Sequence, residues 1–333
     1  MSNGSLAGVA LIGTGAAAPE LAVTNDDLAQ VMETSDEWIA SRTGIRQRRL
    51  LAPGESLTTL AVQAGTQALE AAGLAASDLD LIVLATSTAD DRFGTASRVQ
   101  HALGATRAVA FDLTAACSGF IFGLVTAAQF IRTGTYRTVL LIGADGLSHW
   151  VDWSDRRTCV LFGDGAGAVV LQANSEDRLL GFELRSDGSG HHHLNMACQA
   201  EPQALTPDLS IGRGNVTPIT MNGQEVYRFA VKAVPEVVEK SLYRSGLASA
   251  ELDWLLLHQA NQRILDAVAH RLAIPSAKVV SNLERYGNTS AASIPLALDE
   301  WVRAGRIQPG HLIAASGFGA GLTWGAVVFR WGI

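Results

Sequence analysis

Cysteine is scarce in this chain, with only three residues among 333: Cys117, Cys159 and Cys198. An odd, low number argues against a disulfide framework, and the wide spacing is not that of a zinc site. We therefore expect a reducing, cytoplasmic setting. Long apolar runs are also missing, so we expect no membrane insertion. Residues 1–6 lack a basic stretch, so we expect no signal peptide there.

Positive charge is not in excess either. The 25 Lys and Arg residues are outnumbered by 32 Asp and Glu residues, which gives a net charge of −7. This balance argues against general affinity for nucleic acid. With 48% apolar residues the chain can bury a large core, so we expect two domains or one duplicated domain.

A weak internal repeat runs through the chain. The matching segments are 80–85 with 253–258, 131–143 with 302–315, and 167–171 with 325–329. Their shared order is the signature of a duplication. We therefore predict two copies of one α/β unit, residues 1–172 and 173–333.

Each copy alternates two kinds of segment. Short β-rich runs are predicted as strands at 79–85, 138–143 and 166–171, and the apolar spacing of 56–72 predicts an amphipathic helix. Buried strands that alternate with helices indicate sheets covered by helices. In such folds, functional residues are expected at strand ends and in the crevice between the halves.

Cys117 lies where a predicted strand, 108–113, leads into a long helical pattern. Unpaired N–H groups and the helix dipole favour a thiolate at such a point. Small neighbours leave room for a substrate, although most free cysteines are simply buried apolar residues.

Two further polar residues lie in apolar surroundings. His258 ends the buried strand 254–257, and Asn288 lies at a predicted helix start, 171 positions after Cys117, so we expect it to occupy the equivalent place in the second copy. Alone, His258 could be a structural histidine and Asn288 a helix cap. Together, a cysteine, a histidine and an asparagine suit acyl transfer, with a thiolate nucleophile and neutral donors that stabilise a second carbonyl.

Several segments together resemble the β-ketoacyl-acyl-carrier-protein synthase III family. They are 34–39, 42–45, 114–120, 162–167, 258–261, 286–293 and 317–325, in the family's order and across almost the whole chain. The resemblance implies a thiolase-like fold, two duplicated α/β halves in a five-layered α/β/α/β/α arrangement, and a homodimer. It implies an acyltransferase that initiates fatty-acid biosynthesis and needs no metal or other cofactor.

The implied reaction is a decarboxylative Claisen condensation of acetyl-CoA with malonyl-acyl-carrier protein. Cys117 would carry the acyl group, and His258 and Asn288 would stabilise the malonyl enolate. The backbone N–H groups of Cys117 and Ala320 would form an oxyanion hole. The remaining implied residues are a CoA set, Thr34, Trp38, Arg42, Arg156 and Asn261; an acyl-pocket set, Phe93, Leu161, Ile219, Met221 and Tyr227; and a carrier-protein set, Arg228, Arg263 and Arg271.

Two residues need a separate statement, Phe93 of the acyl-pocket set and Arg157, which follows the CoA-set residue Arg156. Phe93 would reach across the dimer into the partner's pocket. Arg157 stands where many family members have a small residue, so its contact with CoA stays open.

Other interpretations of the sequence are possible. A related condensing enzyme of secondary metabolism, with another acyl donor or acceptor, would share this mechanism. An NAD-dependent dehydrogenase is a remote alternative, because the glycines of 13–18 imitate a dinucleotide motif but no helix is predicted to start there. We interpret His191, His192 and His193 as a solvated loop, and Cys159 as a core residue in an apolar strand, 158–162. A non-catalytic scaffold of the same fold would not need Cys117, His258 and Asn288 together.

Overall fold

A computed structural model of the protein describes residues 7–333. The expectation that residues 1–6 hold no signal peptide lies outside the described residues. Among the helices of residues 7–333, none combines the length and apolar character needed to cross a bilayer.

The strands are β1 (Gly8–Ala17), β2 (Ala22–Thr24), β3 (Gln47–Arg49), β4 (Leu81–Ala85), β5 (Val109–Leu113), β6 (Thr138–Gly146), β7 (Asp164–Asn174), β8 (Leu179–Ser186), β9 (Leu194–Asn195), β10 (Cys198–Thr206), β11 (Leu209–Val216), β12 (Thr220–Met221), β13 (Trp254–Leu257), β14 (Val279–Val280), β15 (Leu312–Gly319) and β16 (Thr323–Arg330).

The α-helices are α1 (Asn25–Ala29), α2 (Asp36–Thr43), α3 (Leu57–Ala72), α4 (Ala96–Leu103), α5 (Gly119–Arg132), α6 (Gly223–Ser245), α7 (Gln262–Arg271), α8 (Leu283–Tyr286) and α9 (Ser293–Arg303).

Two five-stranded sheets form the frame. The first has the order β1-β7-β6-β4-β5, and the second, read from its other end, has the equivalent order β8-β16-β15-β13-β14. In each sheet the three strands at one end are parallel: β4 pairs with β5 and β6, and β13 pairs with β14 and β15. The repeat seen in the sequence is thus a repeat of sheet topology.

Helices α5 and α9 form the central layer. Helix α5 contacts strands of both sheets, including β6 and β15, and α9 contacts β7 and β13. Helices α3 and α4 cover the outer face of the first sheet, and α6 packs on β8, β15 and β16 of the second. The five-layered α/β/α/β/α arrangement is therefore confirmed.

Helix α3 shows how the local sequence forms these layers. The Ser56 side chain accepts a hydrogen bond from the Thr59 N–H at the first turn, and Gly73 ends the helix with a φ of 67°. Both are standard helix-end devices. The apolar side chains that share one face, among them Leu57, Leu60 and Leu69, are buried.

The segment 158–162 corrects one prediction. It forms turns, not a strand, and the neighbouring strand β7 begins at Asp164. Its residues Cys159, Val160 and Phe162 are buried in the core, and Phe162 makes an isolated parallel bridge with Asn288. Cys159 is fully buried, as predicted for a core residue.

The dinucleotide-like glycines have a packing role. Gly13 and Gly15 lie inside β1, and a Cβ atom at either position would approach a backbone carbonyl of α3 to 2.4 or 2.2 Å. The bare backbone lets α3 pack directly on the strand. No helix begins at these glycines, which removes the basis for the dehydrogenase alternative.

Gly143 generates a stability prediction. A Cβ atom there would lie 2.2 Å from the Ala291 carbonyl oxygen, inside the packed centre. We expect Gly143→Ala to lower the free energy of unfolding by about 1–3 kcal/mol, the usual cost of overpacking. Urea unfolding measures this.

Gly214→Ala is the matched control. Gly214 is also a strand glycine, but a Cβ atom there would meet nothing within 4 Å. Equal unfolding midpoints for the two variants would contradict the packing described for Gly143.

Candidate active site

Two short 3₁₀ turns meet in the central layer. Ala116–Ser118 leads into α5, and Ser290–Ala292 leads into α9. Their first residues adopt the same left-handed backbone, with φ values of 46° for Ala116 and 49° for Ser290. The structural equivalent of Cys117 is therefore Ala291. Asn288, which the repeat places at about this position, precedes the turn.

Cys117 is enclosed by bare backbone. Its side chain is buried, with 7% of its surface exposed. A Cβ atom on Gly319, at the end of β15, would lie 2.8 Å from the Cys117 backbone nitrogen and 3.2 Å from Sγ. The absence of a side chain at Gly319 therefore leaves space beside the thiol and its N–H group.

Burial also controls the charge of Cys117. Desolvation raises the pKa of the thiol to about 12; a hydrogen bond from Ser290 opposes this change, and the charge of Asp145 adds to it. The sequence argument predicted that the helix start would favour a thiolate. In the structure, removal of water outweighs that effect, so the resting thiol is protonated near neutral pH.

Asp145 is a buried carboxylate that the sequence analysis missed. It accepts hydrogen bonds from the Ser87 N–H at 2.8 Å, the Thr88 hydroxyl at 2.9 Å and the Ala291 N–H at 3.2 Å. It therefore ties the first half to the 3₁₀ turn of the second half. An acidic residue within the otherwise apolar run of β6 was the signal that could have revealed it.

His258 follows β13, as predicted. Its Nδ1 lies 2.7 Å from the Ser293 Oγ, and its ring meets Phe318 edge-to-face with centroids 5.3 Å apart. Burial lowers the pKa of His258 to about 3. The imidazole is neutral at physiological pH, which suits a hydrogen-bond donor more than a general acid that cycles through imidazolium.

Asn288 is fixed by its backbone and by its own carboxamide oxygen. Its N–H donates to the Leu161 carbonyl at 2.9 Å, and its carbonyl accepts from the Gly163 N–H at 3.0 Å. Oδ1 accepts from the Ser290 N–H at 2.9 Å. The side chain thus closes a local turn onto Ser290, and its NH₂ group stays available as a donor. Asn288 is therefore not a helix cap, and its role as a catalytic donor stays a prediction.

Two cavities meet at Cys117. One of 490 Å³ has Cys117, His258 and Asn288 in its wall, so the three predicted catalytic residues converge. The other, of 570 Å³, is lined by Cys117, Ala320 and, among apolar side chains, Leu147, Trp150 and Ile219. Phe162 and Leu194 border both.

The predicted acyl-pocket set is divided between these cavities. Ile219 lines the 570 Å³ cavity, whereas Leu161, Met221 and Tyr227 line the 490 Å³ cavity. Phe93 lines neither and is fully exposed. The sequence analysis missed several wall residues of the larger cavity, among them Leu147 and Trp150, because ordinary apolar residues carry no motif.

The outer end of the 490 Å³ cavity brings cationic and aromatic groups together. The guanidinium carbons of Arg42 and Arg156 lie 4.6 and 5.2 Å from the Trp38 ring centroid. Asn261 caps the N-terminus of α7 and donates to the Arg42 carbonyl at 3.1 Å. Arg42 and Asn261 line the cavity, as does Arg263.

Thr34 and Arg157, which lie near this region, are less available for contact with CoA. The Thr34 hydroxyl is buried and has no hydrogen-bond partner within residues 7–333, so its predicted contact with CoA gains no support from its orientation. Arg157 makes a bidentate pair with Asp155, at 2.8 and 2.9 Å.

The predicted carrier-protein set is exposed but differs in its partners. Arg228 pairs with Glu225 at 2.6 Å, and Arg271 lies 3.7 Å from Glu236. Arg263 instead donates to the Ser41 backbone carbonyl at 2.9 Å and keeps a place at the cavity wall.

The histidine run lies in a 3₁₀ segment, Gly188–His193, on the surface. Within residues 7–333, no cluster of three or more histidine, cysteine or acidic side chains has the arrangement of a metal site.

Comparison with known proteins assigns both halves to one family. Residues 111–188 match the family described as 3-oxoacyl-[acyl-carrier-protein] synthase III, and residues 242–331 match its C-terminal counterpart. A β-ketoacyl-[acyl-carrier-protein] synthase III of Trichormus variabilis is 66% identical over 98% of both chains.

Solved structures agree. The 3-oxoacyl-[acyl-carrier-protein] synthase III of Aquifex aeolicus superposes with a TM-score of 0.88 at 45% identity, covering 97% of this chain and 100% of that one. The priming β-ketosynthase of the R1128 polyketide pathway superposes with a TM-score of 0.91 at 34% identity, covering 100% of this chain and 98% of that one.

The raised pKa of Cys117 predicts how its reactivity changes with pH. Alkylation of ligand-free enzyme by iodoacetamide should accelerate about tenfold per pH unit from about pH 7 to 10, because the thiolate is the nucleophile. Mass spectrometry of the Cys117 peptide, in a Cys198→Ser background that removes the exposed thiol, measures this rate. A plateau below about pH 8 would show a thiolate already formed at rest.

Proposed function

The chain belongs to the 3-oxoacyl-[acyl-carrier-protein] synthase III family of condensing enzymes, and we propose that its two cavities divide the two half-reactions of an initiating condensation. The protein is an acyltransferase of fatty-acid biosynthesis. The proposed substrates are acetyl-CoA and malonyl-acyl-carrier protein, and the products are acetoacetyl-acyl-carrier protein, CoA and CO₂.

In the first half-reaction, the Cys117 sulfur attacks the acetyl thioester carbonyl. The new S–C bond forms, the bond to the CoA sulfur breaks, and the thiol proton ends on the departing CoA thiolate. We assign the backbone N–H groups of Cys117 and Ala320 to the developing oxyanion. The close approach of Gly319 to Cys117 supports this assignment, since backbone donors act best at short range in a dry site.

In the second half-reaction, malonyl-acyl-carrier protein enters the 490 Å³ cavity. Loss of CO₂ leaves an enolate, whose carbon attacks the acetyl carbon and expels the Cys117 thiolate, which then takes a proton. His258 and Asn288 donate hydrogen bonds to the enolate oxygen. Since the departing carboxylate supplies the electron pair for the new C–C bond, we propose no resident metal or redox cofactor.

The observation that carries this proposal is the division of donors around Cys117. The neutral His258 and Asn288 lie in the wall of one cavity, and Ala320 lies in the wall of the other. Two carbonyl groups, one on each substrate, must be polarised in turn at the same sulfur. A site with two separate donor sets meets that need.

A condensing enzyme of secondary metabolism remains the second candidate. The likeness to a polyketide priming ketosynthase favours it, but at 34% identity against 66% for the fatty-acid relative. The identity of the acyl group that the 570 Å³ cavity accepts would distinguish the fatty-acid enzyme from the enzyme of secondary metabolism.

We propose the nucleotide end of CoA at Trp38, Arg42 and Arg156. The ring and the two guanidinium groups already lie together, and cations suit the CoA phosphates. Asn261 would border the pantetheine channel. Arg263 is the member of the carrier-protein set at the cavity wall, and an acidic carrier would meet its free charge there.

We also propose that two copies of this chain form a homodimer. Each copy would contain both halves, 1–172 and 173–333. Phe93 is fully exposed, unusual for a phenylalanine. It follows Arg92, which lines the 570 Å³ cavity. A partner copy would cover this ring and receive it in its own pocket.

Separate half-reaction assays test the catalytic assignments. Cys117→Ala should form no acyl-enzyme with acetyl-CoA, isobutyryl-CoA or a longer acyl-CoA, as read by intact mass. His258→Ala and Asn288→Ala should still acylate Cys117 but lose malonyl decarboxylation by about 10²–10³-fold, the usual cost of removing an oxyanion donor.

Two results would contradict these roles. One is acyl transfer that survives loss of Cys117. The other is full decarboxylation after loss of both His258 and Asn288.

The CoA assignment has a matched control in Arg157, which is exposed like its neighbour Arg156 but held by Asp155. Arg42→Ala and Arg156→Ala should each raise the KM for acetyl-CoA about two- to fivefold with little change in kcat, the scale of an exposed charge pair. Arg157→Ala should leave KM unchanged. A larger rise in KM for Arg157→Ala than for Arg42→Ala and Arg156→Ala would contradict this assignment of the nucleotide site.

The dimer proposal predicts that Phe93 stabilises the dimer against dissociation on dilution. Phe93→Ala should weaken dimerisation, measured by light scattering during dilution, because an apolar anchor is lost. Tyr243→Ala is a control, since Tyr243 is also largely exposed but lies on α6. A monomeric wild type at micromolar concentration would refute the proposal.

A further inference from the structure

Ser293 contacts the catalytic histidine without lining either cavity. It is the first residue of α9, and 1% of its surface is exposed. Its Oγ lies 2.7 Å from His258 Nδ1. The hydroxyl is therefore placed to decide which imidazole nitrogen carries the proton.

Counting donors and acceptors settles the direction of this bond. The only other hydrogen-bond partner of the Ser293 Oγ within residues 7–333 is the Gln259 backbone N–H, at 3.4 Å. That group can only donate. If Nδ1–H also donated to Oγ, the serine hydroxyl hydrogen would be buried without an acceptor, which costs about 1–3 kcal/mol. The arrangement without this cost has the hydroxyl donating to Nδ1.

We infer that Ser293 is a positioning residue that holds His258 as the neutral tautomer with its proton on Nε2. Nε2 has no hydrogen-bond partner within the described residues, and His258 lies in the wall of the 490 Å³ cavity. A proton there donates to a substrate oxygen. The opposite tautomer would present a lone pair and repel the developing negative charge.

This inference rests on the proposed role of His258 in the malonyl half-reaction, but the tautomer itself is measured without substrate. In ¹⁵N-histidine NMR of ligand-free enzyme, His258 should show a protonated Nε2 and an unprotonated Nδ1 that accepts a hydrogen bond. The protein has eight histidines, so His258→Gln identifies the signal. In Ser293→Ala, the Nδ1 signal should move towards a mixture of both tautomers.

Kinetics supply the second readout. Ser293→Ala should slow malonyl decarboxylation about tenfold or more, yet less than removal of the donor itself. Acylation of Cys117 by acetyl-CoA should stay within about twofold, because the other donor set serves that step. Ser293→Thr, which keeps the hydroxyl, should restore most of the lost rate.

Ser241→Ala is the matched control for loss of a buried hydroxyl. Ser241 is fully buried, donates only to backbone carbonyls at 2.8 and 3.1 Å, and lines neither cavity. It should change neither the His258 signal nor the decarboxylation rate.

Three outcomes separate the possibilities. A wild-type His258 with its proton on Nδ1 overturns the inference, even if Ser293→Ala fails to fold. A folded Ser293→Ala enzyme with unchanged tautomer and unchanged decarboxylation also overturns it. If the tautomer responds as expected but His258→Ala decarboxylates normally, the proposed function fails and the positioning of His258 by Ser293 stands.

Discussion

Exclusion of water where the two halves meet is the constraint on which the site depends. Cys117, His258 and Asn288 are all buried, although they come from three separate segments of the chain. Burial is the main cause that raises the pKa of the thiol to about 12, and it lowers the pKa of the imidazole to about 3. The thiol and the imidazole at rest are therefore neutral, and the buried carboxyl group of Asp145 nearby is surrounded by hydrogen-bond donors.

A neutral, buried site suits the proposed reaction, in which negative charge develops on a carbonyl oxygen of each substrate in turn. Donors that are already oriented act strongly in such a medium, because no solvent must reorganise as charge develops. The structure provides that orientation through hydrogen bonds to backbone and side-chain groups. Asn288 is held between Leu161 and Gly163, and His258 is held against Ser293. The raised pKa of Cys117 means that the free enzyme does not favour the thiolate.

The repeat and the alternation of strands with helices could be predicted from the sequence because each leaves a local pattern, and the predicted meeting of Cys117, His258 and Asn288 at one cavity is observed. Buried strands are continuous apolar runs, and Cys117 and His258 lie at their ends. Three features left no such pattern. The turn at 158–162 looks like a strand because its apolar residues are buried at the centre. The equivalence of Cys117 with Ala291 depends on matching backbone angles, which a weak repeat does not reveal. The charge state of Cys117 depends on how completely the second half covers it.

The central claim, that the two half-reactions use opposite sides of Cys117, is tested most directly by a crystal structure of the enzyme acylated with a short acyl group. The account predicts the acyl chain in the 570 Å³ cavity, beside Ile219 and Trp150, with its carbonyl oxygen at the Cys117 and Ala320 N–H groups. His258 and Asn288 should then be free of the acyl group. An acyl chain in the 490 Å³ cavity, with its oxygen on His258 and Asn288, would contradict the account.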